Sequence, residues 1–341
     1  MAGHKITIKE VARFAGVSKT TVSHALSGKR PVSGETKLRI EKAINELQYY
    51  PNYMAQSLVS KRSGIIGMIY PTPLSDSNHR ESVEFIFNAA KKTNALGYKF
   101  LLLTGEYEQE YERIMSIIRS GHIDGVVLMD IRMNDLRVDL LYEEKFPFVM
   151  IGRNKYHSKL NYVDIDATEA IYKGTRYLIS LGHKEIVFFG ISPRNFGFTQ
   201  RGLTGYKKAL EEAGIQYKKE LTVFSPSDEI QSCNVMKSLI GKVKFSAVMA
   251  AGDMLSIGAI DAFRTSGIKI PEEMSVITFG NSSLCTMITP KLSALSVRYK
   301  DMSELAVEML IKTLNNDNIV QNQILLKPDL IIRETTGPAL K

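Results

Sequence analysis

Between residues 65 and 280 one pattern recurs: a short, nearly continuous apolar run, a longer amphipathic stretch, then another run. IIGMIY (65–70), KFLLLT (99–104), GVVLMD (125–130) and FVMIG (148–152) make a first series, separated by helical patterns such as Glu81 to Leu96. EIVFFG (185–190), AVMAAG (247–252) and SVITFG (275–280) make a second. Runs this short and apolar suit strands buried on both faces, and the stretches between them suit crossover helices. Two series predict two doubly wound parallel sheets, each in its own lobe. Ligands of such sheets bind beyond the carboxyl ends of the strands, which here means the cleft between the lobes. With 341 residues and 44% apolar content, the chain has material for both lobes and one small further unit.

That further unit is basic. Residues 1 to 62 hold eleven Lys/Arg against four acids (Glu10, Glu35, Glu41, Glu46), a net +7, so almost all of the chain's +8 lies in its first sixth. A positive head on a nearly neutral body fits a polyanion partner, because clustered cations displace the counterions condensed on phosphates. Two cysteines, Cys233 and Cys285, lie far apart with neither metal-ligand nor disulfide spacing, and read as reduced structural residues. No metal or cofactor is expected. No apolar run reaches bilayer-spanning length, and Lys5, Lys9, Glu10 and Arg13 stand where a signal peptide would need its apolar segment. A cytoplasmic protein with no membrane role is the expectation.

Within the head, Thr7-Ile8-Lys9-Glu10 is a capping box that opens a helix carrying Val11, Ala12 and Ala15 at helical spacing, and Gly16 suits its left-handed end. Ser18 then caps a second short helix with Val22, Ala25 and Leu26 inward and Gly28 as its stop. The pair is a helix-turn-helix. From Ser33 a third helix sets Ile40, Ala43, Ile44 and Leu47 on one face, with Lys37, Arg39 and Lys42 toward water. A recognition helix reads bases with its first turns, which nominates Lys19, Thr20 and His24 for base edges and Ser18, Thr21 and Ser23 for phosphate oxygens. The bland alternative is that these hydroxyls only cap and solvate a helix. YYPNYMAQSLVSKRSG (49–64) follows: a proline, Asn52 as N-cap, Ala55 and Leu58 at i,i+3, and a linker-like tail. Too short to fold alone, it needs DNA or a second copy, and an exposed leucine there can wedge between base steps in the minor groove.

TIKEVARFAGVSKTTVSHALSG followed by PNYMAQSL resembles the head and hinge of the lactose/galactose repressor (LacI/GalR) family of bacterial transcriptional regulators. DGVVLMD, LISLGHKEIVFFG, GYKKALEEAGI, AGDMLSIGAIDAFRTSGIKIPEEMSVITFG and Thr289-Pro290 extend the likeness over nearly the whole chain. The resemblance implies an N-terminal all-α helix-turn-helix head (1–48), a hinge helix and linker (49–63), and a two-lobed α/β core like periplasmic binding proteins (64–341). Lobe 1 would take about 64–163 and 294–323, and lobe 2 about 164–293 and 324–341, with crossings near 164, 293 and 324. It makes Lys19, Thr20 and His24 base-reading, Thr7, Ser18, Thr21, Ser23, Ser33 and Asn52 backbone contacts, and Leu58, beside Ala55, the hinge lever. Effector-cleft candidates are Asp76, Asn78, Asp130, Arg153, the segment Arg194 to Arg201 with Phe196, and Asp253. The implied partners are a pseudo-palindromic operator, a second copy and a saccharide, and repression is the family default.

Departures from the family pattern stand at Ser27, where asparagine is usual, and at Gly152 and Gly280, where aspartates commonly hold sugar hydroxyls. Arg201 also stands one residue early relative to Gly205. A simple monosaccharide held in the usual way is therefore disfavoured. His183, in LGHKEI, has no catalytic pattern around it and reads as structural. Asp253 suits a helix N-cap as well as a ligand contact, Asp130 a strand end, and Arg153 an inter-lobe ion pair. An enzyme reading finds no dinucleotide-binding glycine motif, P-loop, HExxH or GxSxG. A transport-type binding protein would explain the body but not the head. Without a heptad tail after LLKPDLIIRET, dimers rather than tail-linked tetramers are expected.

Overall fold

A computed structural model describes residues 6–27, 30–49, 62–70, 80–104, 110–154, 159–192, 197–315 and 322–340. The chain divides into two compact units, residues 1–65 with 121–124, and residues 66–120 with 125–341.

In the first unit, α1 (Ile8–Ala15), α2 (Lys19–Ser27) and α3 (Gly34–Glu46) surround a core of Val11, Ala12, Ala15, Val22, Ile40 and Ala43, fringed by Ala25, Leu26, Ile44 and Leu47. The capping box of α1 is present: the Glu10 carboxylate accepts from the Thr7 amide at 2.7 Å and the Thr7 hydroxyl at 2.9 Å. Gly16 ends α1 at φ 66°, ψ 36°, and the Val17 amide reaches back to the Ala12 carbonyl at 3.0 Å. That left-handed residue turns the chain into α2 within two positions. Ser18 caps α2 by accepting from the Thr21 amide at 3.0 Å, and Ser33 caps α3 by accepting from the Thr36 amide at 3.4 Å. Gly28, the expected stop of α2, lies outside the described residues.

The second unit runs β1 (Ile65–Tyr70, entered from the first unit), α4 (Arg80–Ala95), β2 (Lys99–Thr104), α5 (Glu110–Ser120), β3 (Gly125–Leu128), α6 (Leu136–Glu143), β4 (Phe148–Ile151) and β5 (Tyr162–Ile165). It continues through α7 (Ala167–Ser180), β6 (Ile186–Ile191), α8 (Gly197–Glu212), β7 (Thr222–Ser225), α9 (Glu229–Leu239), β8 (Ala247–Ala250), α10 (Asp253–Thr265) and β9 (Ser275–Gly280). The last elements are α11 (Leu284–Met287), β10 (Ser293–Ser296), α12 (Tyr299–Leu314), β11 (Gln323–Leu326) and β12 (Leu330–Ile331).

These strands form two six-stranded sheets, ordered β11-β5-β4-β3-β1-β2 and β12-β10-β9-β8-β6-β7. In the first sheet β1–β3, β3–β4, β4–β5 and β5–β11 pair in parallel. In the second only β10–β12 is antiparallel among the described pairs. Each run named from sequence is a strand, with β3, β4 and β8 buried along their whole length.

The strands that precede the passages between sheets end one to three residues beyond 164, 293 and 324. β5 stays in the first sheet to Ile165, β10 in the second to Ser296, and β11 in the first to Leu326. Each ladder must be completed before the chain can leave it, because a buried backbone group abandoned midway would be unpaired. Asp166 then caps α7, accepting from the Glu169 amide at 3.1 Å, so the first passage is one residue long.

His183 is structural. Its Nδ1 meets the Ser246 hydroxyl at 2.8 Å, and its Nε2 meets the Ser275 hydroxyl and the Gly337 carbonyl, each at 3.0 Å. The ring thereby ties the C-terminal segment to the starts of β8 and β9 in the second lobe. Burial holds its pKa below the ordinary value. Cys233 and Cys285 are both buried and free.

Candidate nucleic-acid interface and ligand cleft

In the head, the turn at Gly16 leads into an N-terminal end of α2 that is open to solvent. Lys19 and Thr20 are exposed, and His24 follows Thr20 one turn on, half-buried. Packing of Val22 into the core fixes the rotation of the helix, so the face carrying Thr20 and His24 is turned away from that core. The Ser18 and Thr21 hydroxyls share a hydrogen bond of 2.8 Å beside the cap, and Ser23 is partly exposed. This leaves small polar groups around one cation and one imidazole, an arrangement able to approach a groove closely. Asn52, Ala55 and Leu58 lie outside the described residues.

In the second unit a cavity of about 180 Å³ lies between the two sheets. Its walls come from the ends of strands on both sides: Tyr70 (β1), Ile151 (β4) with Gly152 just after it, and Ile165 (β5) face Ile191 (β6) and Phe279 (β9). This is where two doubly wound sheets are expected to hold a ligand. Phe85, Phe198 and Tyr299 add aromatic surface, and Phe85 meets Tyr299 edge-on at 4.9 Å. Polar side chains on the wall include Asp130, Asp164, Arg201 and Ser227, besides the two tyrosines.

Asp164, near the end of β5, is buried between two guanidiniums. Its Oδ2 accepts from Arg153 Nε at 2.7 Å and from Arg201 Nη2 at 3.0 Å, and its Oδ1 accepts from the Ile165 amide at 2.9 Å. Burial pushes this carboxyl above its usual range while the Arg201 and Arg153 charges pull it down, and burial likewise lowers the Arg201 guanidinium. Arg201 sits on α8, one helical turn before Gly205, where an added Cβ would lie 2.1 Å from the Thr168 carbonyl oxygen of α7. Close α7–α8 packing explains that glycine, and Arg201 reaches the cavity from its shifted position.

Of the remaining cleft candidates, Asp130 is on the wall and takes a left-handed backbone at φ 52°. Arg153 meets the cavity through Asp164. Asp253 is fully buried and not a wall residue: it accepts from the Thr278 hydroxyl at 3.0 Å and from the Asn281 and Ser282 amides at 3.1 and 2.8 Å. Asp76, Asn78, Arg194 and Phe196 lie outside the described residues. The sequence did not single out Asp164, whose signal is an acid inside a strand of an otherwise buried sheet. Nor did it single out Arg137 and Asp135. Arg137 is buried, donates twice to Asp135 at 2.9 and 2.7 Å, and holds the Met129 and Asp130 carbonyls, each at 3.0 Å. It thereby fixes the backbone that carries Asp130. Among the described residues no His, Cys, Asp or Glu cluster is arranged to hold a metal, and no helix is long and apolar enough to cross a membrane.

The chain matches the family model of bacterial regulatory proteins, lacI family, over residues 7–52, and that of the periplasmic binding protein-like domain over residues 175–336. It is 31% identical over 332 residues to the HTH-type transcriptional regulator RegA of Clostridium saccharobutylicum, covering 97% of this chain and 99% of that one. It is 28% identical to DegA of Bacillus subtilis, covering 98% and 99%. Among solved structures, a complex of the transcriptional regulator CelR with cellobiose matches with a TM-score of 0.74 at 25% identity, over 97% of this chain and 99% of that one. A lac repressor dimer bound to operator shares the fold, with a TM-score of 0.82 at 21% identity over 98% and 100%. A helix-turn-helix head and a two-sheet core with a cleft, in one chain matched end to end by such regulators, make this protein a DNA-binding transcriptional regulator of the lacI family.

Proposed function

We propose that this regulator represses carbohydrate-utilisation genes and is controlled by a saccharide in the cleft between its core lobes. The observation that carries this reading is the cavity of about 180 Å³ between strand ends, aromatic on several sides and polar at Asp130, Asp164 and Arg201, in the same chain as the head. Aromatic faces and a few fixed polar groups suit a sugar's apolar and hydroxyl surfaces. CelR, similar over nearly the full length, was solved with cellobiose.

In this reading residues 1–48 form the head, 49–63 the hinge and 64–341 the core. Lys19, Thr20 and His24 meet base edges, while Thr7, Ser18, Thr21, Ser23, Ser33 and Asn52 meet the DNA backbone. Ala55 and Leu58 act in the minor groove. Asp130, Arg153 and Arg201 serve the cleft, along with Asp76, Asn78, Arg194 and Phe196, whereas Asp253 braces the turn after β9. A homodimer on a pseudo-palindromic operator, working in the cytoplasm without catalysis, completes it. A ligand acts by its different affinity for the DNA-competent and DNA-incompetent arrangements.

The test is a thermal-shift screen of sugars and sugar phosphates on the full chain, followed by operator binding with and without each hit. A ligand selective for the native state raises the Tm. A sugar that raises Tm and changes operator affinity supports the reading, and sugars that do neither remove it. Leu58→Ala should reduce DNA bending and specific affinity while sparing the dimer.

A further inference from the structure

Asp164 and Arg201 line the same cavity from opposite lobes. Asp164 belongs to β5 of the first sheet, whereas Arg201 is on α8, which packs against α7 and β6 of the second lobe. Their contact of 3.0 Å therefore spans the cleft. A second link between the lobes is the hydrogen bond from the Ser283 amide to Glu84 Oε1 at 2.9 Å.

The two partners differ in what they have left to offer. Asp164 is 3% exposed and already accepts three hydrogen bonds, two from guanidiniums and one from a backbone amide. A carboxylate has about four acceptor positions, so little remains for a ligand. Arg201 is more exposed, and its buried Nε has no hydrogen-bond partner among the described residues. The arginine is a donor on the cavity wall with unused capacity, and the aspartate is the anion that occupies it.

We propose that Asp164 is a built-in competitor for the ligand of this cleft, and that the group displacing it from Arg201 is itself an anion: the carboxylate of a sugar acid or the phosphate of a sugar phosphate. This rests on the saccharide reading above. Replacing Asp164 by a neutral hydroxyl would leave a half-buried guanidinium without its counter-charge, which is costly. A ligand anion exchanges like for like, with a charge-assisted pair lost and another formed. Arg153 keeps Asp164 neutralised after the exchange, and Asp130 remains on the wall to accept ligand hydroxyls. Because the displaced contact joins the two lobes, occupancy of Arg201 also loosens one link between them, giving the ligand a route to the core's arrangement.

The experiment is calorimetric titration of the full chain with glucose, cellobiose, glucuronate and glucose 6-phosphate. The expected result is that glucuronate or glucose 6-phosphate binds at least about tenfold more tightly than glucose, and which of the two does so separates carboxylate from phosphate. Asp164→Asn should tighten that anionic sugar by about tenfold, since the competing charge is gone, and Arg201→Gln should remove the preference for it. Weaker binding of the anionic sugar to a folded Asp164→Asn chain makes Asp164 a ligand contact and overturns the proposal. Glucose or cellobiose binding the wild-type chain as tightly as the anionic sugars also overturns it, yet leaves the saccharide reading standing. If none of the four binds, both fall. The wild-type comparison needs no variant to fold.

Discussion

Oδ1 of Asp253 lies only 1.8 Å from where a Cβ on residue 280 would stand, so the Asp253 carboxylate fills the space a side chain at Gly280 would need. From there it receives the Thr278 hydroxyl and the Asn281 and Ser282 amides, bracing the turn that leaves β9. The pattern of the family commonly sets an acid at residue 280. In this chain the acid of α10 takes the space instead, and its charge is directed at the backbone of the turn.

Gly280→Ala should therefore destabilise the core by about 1–3 kcal/mol, the usual cost of overpacking. Gly280→Asp should cost more, because it adds a second carboxylate against the first. Urea denaturation checks both, and a double-mutant cycle is decisive: in an Asp253→Ala background the steric part of the Gly280→Ala penalty should vanish. Additive penalties would mean that the two positions do not share this space.

The sheets were readable because most of their strands are unbroken apolar runs, and the head because its caps are explicit: Thr7 with Glu10, Ser18, Ser33 and the left-handed Gly16. YVDI and TVFS were not singled out, since Asp164 or the flanking Thr222 and Ser225 interrupt the run that marks a buried strand. The rule that ligands sit at strand ends located the cleft, and the family pattern nominated Asp130 and Arg201 within it. It does not reveal the partner of Arg201, which lies 37 positions away on the other sheet. Nor does it show that Asp253, at the start of a helix after a strand, points back beneath β9. Those facts depend on which elements pack together, and local pattern carries no record of that.

Arg137 should prove more important than its place in an ordinary amphipathic stretch suggests. The Arg137–Asp135 pair is almost completely buried, and Asp135 also caps α6 by accepting from the Arg137 amide at 3.1 Å. Removing one partner of such a pair leaves an uncompensated buried charge and costs about 3–5 kcal/mol. Arg137→Ala should lower the Tm of the core sharply. Asp135→Asn/Arg137→Met, which removes both charges, should recover part of that loss. Equal stability for Arg137→Ala and the wild-type chain would show that the pair contributes nothing.

His183 gives the second lobe a pH dependence of definite sign. Burial depresses its pKa below the ordinary 6.5, so the native state favours the neutral ring. Above that ordinary value the ring is neutral in both folded and unfolded chains, and its contribution is fully present. As pH falls below it the unfolded chain takes up a proton that the native ring resists, and stability declines until the folded pKa is passed. The slope from one such group reaches at most about 1.4 kcal/mol per pH unit. Chemical denaturation between pH 7.5 and 5, intervals chosen at about half a unit, should show this loss in the wild-type chain and a flatter profile in His183→Gln. An unchanged profile would remove His183 as its source.

The head offers a division between residues that choose a sequence and residues that only hold DNA. His24 and Lys37 are suited to test it, since His24 is on α2 and Lys37 is on α3, where it is well exposed and only loosely paired with Glu41 at 3.9 Å. Lys37→Ala should cost little folding stability, because exposed i,i+4 pairs contribute about 0.3–0.5 kcal/mol. Its effect on DNA should be uniform across sequences, with a shallower salt dependence. Loss of a base contact by His24→Ala should instead cost about 1–3 kcal/mol on the preferred operator and less on variants at one base pair, changing the ranking of sites. Selection of operators from a random library, followed by titration at two salt concentrations, separates the outcomes. If His24→Ala leaves the ranking intact while Lys37→Ala alters it, α2 is not the helix that reads the bases.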